Sequence, residues 1–179
     1  MNNGKNLYDR DMAVRYALAY AYVPNPAYLH FASYGDGGGD CTNFISQCLA
    51  AGGAPFDYMP DYPWWYKSNG SINVSDDKWS LSWAVANSLY WCLKIRGKKN
   101  IKGLKGIEIS DVNSLQSGDI IQYENARGNI YHSAIITGFI KDVSGQNAPL
   151  ITQHTYNAAN IYYIKPAAHR AHFMKIIVD

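Results

Sequence analysis

A glycine run, Gly37-Gly38-Gly39, leads through Asp40 into Cys41, and the residues that follow, Thr42-Asn43-Phe44-Ile45-Ser46-Gln47-Cys48-Leu49, carry apolar side chains at helical spacing. The cysteine therefore falls in the first turn of a helix. About ninety residues later His132 enters a strand-like run, Tyr131-His132-Ser133-Ala134-Ile135-Ile136-Thr137. A thiol at a helix start and an imidazole on a strand are the two halves of a cysteine nucleophile–base pair. A free cysteine titrates at roughly 8.5 and is mostly thiol at neutral pH. Helix N-terminal amides and a neighbouring imidazole both favour the thiolate, whereas the adjacent Asp40 opposes it. That conflict eases if the Asp40 carboxylate turns onto the helix amides as a cap. The expected chemistry is hydrolysis of an amide bond, with no metal and no cofactor.

Such a base needs a partner for its second ring nitrogen. Gln153, His154 and Asn157 all lie on the next strand-like run. His154 is the first choice because it sits in mid-strand, and Asn157 the second. The backbone amide of Cys41 is the expected oxyanion donor, with the Tyr34 side chain as a further one. Cys48, two turns along the same apolar stripe, reads as core, and Cys92 has no assigned role. His30, His169 and His172 read as structural.

The elements that must position these groups fall in two blocks. Helices are expected over residues 9–22, stopped by Pro24 and Pro26, over 41–51, closed by Gly52-Gly53, and over 82–95, ended by Gly97. After Ser117-Gly118 the periodicity changes. Strands are expected over 119–123, 132–140, 150–156, 161–164 and 173–178, with short turns that suggest an antiparallel meander. Helices first and strands last is an α+β order. Between the blocks, residues 54–79 form a long loop rich in Tyr and Trp. Trp64, Trp65 and Tyr66 in that loop, with Trp83 just after it, are the expected walls of a substrate groove.

The chain has 179 residues, enough for one domain with a sizeable core, and residues 1–7 read as a flexible terminus. A net charge of +2 gives little drive toward nucleic acid or anionic membrane. The basic stretch Lys94 to Lys105 reads as a solvated turn. No apolar run is long enough to span a membrane, and the N-terminus has no secretory signal. Three scattered cysteines argue against a disulfide framework, and no Cys-x-x-Cys pair indicates a zinc ribbon. A monomer is expected.

Taken together, Asp40-Cys41-Thr42-Asn43-Phe44-Ile45-Ser46-Gln47, Trp83 in Ser80-Leu81-Ser82-Trp83, Gly118-Asp119-Ile120-Ile121-Gln122-Tyr123, His132-Ser133-Ala134-Ile135-Ile136-Thr137 and Gln153-His154-Thr155 resemble the putative amidase domain family, within the papain-like NlpC/P60 and CHAP group of bacterial cysteine hydrolases. The resemblance runs from about Tyr8 to the end of the chain. It implies a papain-like α+β fold, N-terminal helices packed on a C-terminal antiparallel sheet of about five strands. It also implies Cys41 as nucleophile, His132 as base and His154 as the polar third residue. The implied substrate is peptidoglycan or another amide-containing peptide, cleaved as a stem-peptide endopeptidase or an N-acetylmuramoyl-L-alanine amidase, at an extracellular or envelope location. The alternatives are a non-catalytic wall-binding module, an acyltransferase using the same pair, and a zinc hydrolase built on Cys41, His132 and His154.

Overall fold

The computed structural model describes residues 7–33 and 38–179. Tyr34 and residues 1–6 of the expected flexible terminus lie outside them. Leu7 is already tied down, its amide donating to the Val178 carbonyl at 2.8 Å.

Helix α1 (Arg10–Tyr20) starts at Asp9, whose carboxylate accepts from the Met12 amide at 2.9 Å, and it buries Ala13 and Ala17. Helix α2 (Cys41–Ala51) is buried from Cys41 to Leu49. It closes at Gly52 and Gly53, where φ is +87° at the second glycine. A small hairpin follows, β1 (Tyr66–Lys67) and β2 (Lys78–Trp79). The helix expected over 82–95 is two helices, α3 (Leu81–Ala84) and α4 (Ala86–Lys98), because Val85 between them is extended at φ −112°, ψ 121°.

Six strands then form one antiparallel sheet: β3 (Leu104–Ile109), β4 (Ile120–Glu124), β5 (Ile130–Lys141), β6 (Asn147–Gln153), β7 (Ala158–Tyr162) and β8 (Arg170–Val178). Their order is β3-β8-β4-β5-β6-β7. The fold is thus α+β, but with one more strand than expected and with the last strand inserted between β3 and β4.

The added strand corrects the reading of the basic stretch. Arg96 is buried, donating from Nε to the Leu104 carbonyl at 2.6 Å and from Nη1 to Asp57 at 2.7 Å. Lys105 is buried as well and bonds Asp179 at 2.6 Å. Helix α4 can lie this close to β3 because Gly97 faces Gly106. A Cβ on Gly97 would stand 2.0 Å from the Gly106 carbonyl oxygen.

Side chains alternate across the strands. Ile120, Ile135, Met174 and Ile176 pack under the helices, and Ile121, Tyr123, Ala134, Ile136 and Ile151 form a second apolar cluster on the opposite face. The aromatic loop covers the helix side. Trp64 and Trp83 are fully buried with ring centroids 5.2 Å apart, and Tyr66 is 3% exposed, 5.3 Å from Trp83. These three are core residues and not groove walls. Their polar edges are satisfied inside, Trp64 Nε1 on Ser46 Oγ at 3.1 Å and Trp83 Nε1 on Asn43 Oδ1 at 2.7 Å. Trp65 alone of the four reaches the surface side, stacked on Tyr58 at 5.4 Å. No helix among the described residues is long and apolar enough to cross a membrane.

Candidate active site

Cys41 enters α2 as its first residue, and the register of the sheet sets His132 directly across from Tyr123 on β4. Next to His132, Ser133 points to the helix side, its hydroxyl 3.1 Å from Thr42 Oγ1 on α2. This contact locks the start of α2 against β5. As a result the Cys41 thiol lies against the backbone amide of Ser133, and Cys41 and His132 line one cavity of about 350 Å³. Ser33, Gly38, Tyr131, Thr155 and Tyr156 complete its wall.

The partner of His132 is Gln153, not His154. His132 Nε2 and Gln153 Oε1 are 2.9 Å apart. The orientation of the Gln153 amide is set by its other end, since Nε2 donates to the Tyr156 carbonyl at 2.8 Å. Gln153 Oε1 can only accept, so His132 Nε2 carries the proton and Nδ1 keeps its lone pair. Asn157, the other expected partner, is exposed in the turn after β6.

His154 does something else. Its Nδ1 is 2.5 Å from Asp40 Oδ2 and its Nε2 is 2.7 Å from the Tyr20 carbonyl oxygen. Both ring nitrogens face oxygen atoms, so the ring is held from both ends. Its other flank is the Phe44 ring, stacked at 3.9 Å. Asp40 does not cap α2 either. Its Oδ1 accepts from the Phe31 amide at 3.0 Å and from Asn43 Nδ2 at 2.7 Å, and its Oδ2 faces His154 and, at 3.3 Å, His30. The Asp40 carboxylate beside the thiol is therefore engaged by Phe31, Asn43 and the His154 ring, not by helix amides. The choice of His154 for a mid-strand position fails because β6 ends at Gln153, and His154 is the first residue of the turn that follows.

Electrostatics set the resting protonation states. Burial raises the Cys41 thiol above its ordinary value. The Thr42 hydroxyl and the backbone amides of Ser133 and Thr42 pull the other way, and Asp40 adds a smaller upward push. The His132 ring is lowered from 6.5 to about 4, first by burial and then by the charge of Lys165, against the bond to Gln153. Burial thus favours the neutral form of each group, a thiol and an imidazole. The unfolded ring gains a proton before the folded one. The stability contributed by the neutral ring is therefore present above 6.5 and is lost as the pH falls toward about 4.

Lys165 escaped the sequence reading because nothing in its local pattern marks it. Its ammonium lies 5.3 Å from the centre of the Tyr123 ring, and its charge acts on both Cys41 and His132. Replacing it with methionine removes a positive charge that disfavours the imidazolium. The His132 titration in Lys165→Met, followed by NMR of the ring protons, is expected to move upward from about 4. An unchanged midpoint would show that burial alone sets it.

Compared with known proteins, residues 7–176 match the family described as putative amidase domain. The chain is 35% identical over 159 residues to the uncharacterized protein YhbB of Bacillus subtilis strain 168, covering 87% of this chain and 44% of that protein. It thus spans under half the length of that relative. No solved structure matches the chain. The family's name points to hydrolysis of amides in general. On a match across nearly its whole length, the chain belongs to the putative amidase domain family.

Proposed function

We propose that this chain is a single-domain, cysteine-dependent amide hydrolase with a papain-like NlpC/P60 arrangement, and that it cleaves peptidoglycan peptides through a thioester. The observation that carries this reading is the shared cavity. A thiol on the first turn of α2 and an imidazole with an unprotonated Nδ1 both line it. In this reading Cys41 Sγ attacks the substrate carbonyl while His132 Nδ1 accepts the thiol proton. The same nitrogen then returns that proton to the leaving amine, and water releases the acyl group by the reverse path. Gln153 holds the ring so that Nδ1, and not Nε2, faces the reaction. The lowered imidazole is unprotonated, and so free to accept the thiol proton, well below neutral pH.

The peptidoglycan assignment rests on the resemblance in the cysteine and histidine blocks, together with the walls of the cavity. Tyr131 and Tyr156 are 39% and 71% exposed and present ring faces with hydroxyl edges, which suit an amino sugar or a peptide. The test is digestion of purified peptidoglycan with mass analysis of the products. A new free amine on the first alanine of the stem means an amidase, and one inside the stem an endopeptidase. No change on walls of differing stem chemistry would remove peptidoglycan and leave amide hydrolysis of other peptides.

A further inference from the structure

The expected oxyanion donor, the Cys41 backbone amide, is already engaged. It donates to Thr155 Oγ1 at 3.2 Å. Thr155 lies in the turn after β6 at φ +75°, a left-handed conformation that a β-branched residue rarely adopts. The turn is pinned on both sides. Gln153 bonds the Tyr156 carbonyl, and His154 is held between Asp40 and the Tyr20 carbonyl. The backbone just before Cys41 leaves room for this side chain as well. Gly39 sits at φ +135°, and a Cβ there would stand 2.5 Å from Thr155 Oγ1. The threonine hydroxyl is thus seated on the nucleophile's amide inside the cavity that Cys41 and His132 share. A hydroxyl that accepts one hydrogen bond retains its own proton to donate. Among the described residues no protein group accepts that proton.

Resting on the cysteine reading above, we propose that the Thr155 hydroxyl is the oxyanion donor of this site, polarised by the Cys41 amide behind it. The amide donates to Oγ1, and the O–H donates in turn to the carbonyl oxygen as negative charge develops on it. A donor that itself accepts a hydrogen bond is strengthened, and the strained turn keeps it in place before substrate arrives. Thr155 is in this account a catalytic residue, and the amide is its support.

Two reagents separate this role from a structural one. p-Nitrophenyl acetate acylates a thiol through a tetrahedral oxyanion: the S–C bond forms, p-nitrophenolate leaves, and the thiol proton passes to His132. Iodoacetamide alkylates the same thiol by direct displacement of iodide, with the same proton transfer and no oxyanion. In Thr155→Val, which keeps the branched shape and lacks the hydroxyl, acetylation of Cys41 is expected to slow by about 10²–10³-fold. Alkylation should run at the parent's rate. Thr155→Ser should restore most of the lost acetylation. Thermal melts establish that each variant is folded, and if the valine variant is not, Thr155→Ala against Thr155→Ser makes the same comparison. The proposal is overturned if the hydroxyl-free variant acetylates as fast as or faster than the parent. It is also overturned if both reactions slow alike, since that describes mere support of the loop. If Cys41 of the parent reacts with neither reagent ahead of Cys48 and Cys92, the cysteine reading itself is what fails.

Discussion

Cys41→Ala is expected to reduce amide hydrolysis by about 10⁵-fold or more, because removing the nucleophile of a cooperating pair costs nearly as much as removing the pair. His132→Ala should fall close to the same level, and the double variant should be little worse than either single one. That non-additivity is the signature of two groups acting on one step. Neither loss should come from unfolding. Cys41 and His132 are both nearly buried, 8% and 3% exposed, but each lines a cavity and so tolerates truncation better than a packed core residue. Melting temperatures close to the parent's, with turnover at background, are the expected pair of results. Readouts are product mass on the susceptible wall fragment and the thermal melt. A Cys41→Ala protein that turns over at the parent's rate would dismiss the thiol.

The second large effect is on stability. Asp40 is 1% exposed and accepts from the Phe31 amide and Asn43 Nδ2 while pairing with the His154 ring. Asp40→Ala strands a buried imidazole that still has the Tyr20 carbonyl on its far side, and breaking one partner of a buried pair costs about 3–5 kcal/mol. The melting temperature should drop by about 10 °C or more for a chain of this size. Asp40→Asn keeps an acceptor for Phe31 and Asn43, so its loss should be smaller. Adding His154→Ala to Asp40→Ala should cost less than the sum of the two single losses, since the second change removes the stranded ring. Additive losses would show that the two residues are not energetically paired. This experiment also separates the roles of the adjacent histidine and glutamine. His154 variants should lose stability first, whereas a Gln153→Leu variant should lose control of the His132 tautomer.

The sequence made the thiol and the imidazole legible because residue type and local context sufficed. A glycine run, an aspartate and an apolar stripe mark the start of α2, and a β-branched apolar run marks β5. The third group was not legible. Gln153 and His154 are consecutive, and where β6 ends, at Gln153, decides which one turns toward His132. A strand expected over 150–156 put His154 in mid-strand and so pointed to the wrong neighbour. The strand β3 was hidden because Lys105 and Gly106 interrupt its apolar pattern. The glycine makes sense only once α4 lies on it, and the lysine only once Asp179 at the chain end reaches it. The insertion of β8 between β3 and β4 is a long-range choice that no local period encodes. Trp64, Tyr66 and Trp83 carry the composition of a sugar-binding wall and of an aromatic core alike, and burial alone tells these apart. Thr155 gave no signal at all, because its backbone angle and its bond to the Cys41 amide exist only in the folded turn.

In the proposed reaction Cys41 forms the acyl bond while His132 draws off its proton. The most direct measurement is to expose the folded protein to p-nitrophenyl acetate at neutral pH, quench it, and map the acetyl group by peptide mass. A single acetyl on Cys41, removed by hydroxylamine and formed far more slowly in His132→Ala, is the predicted result. Acetyl spread equally over Cys41, Cys48 and Cys92, or acetylation of Cys41 at an unchanged rate without His132, would contradict it.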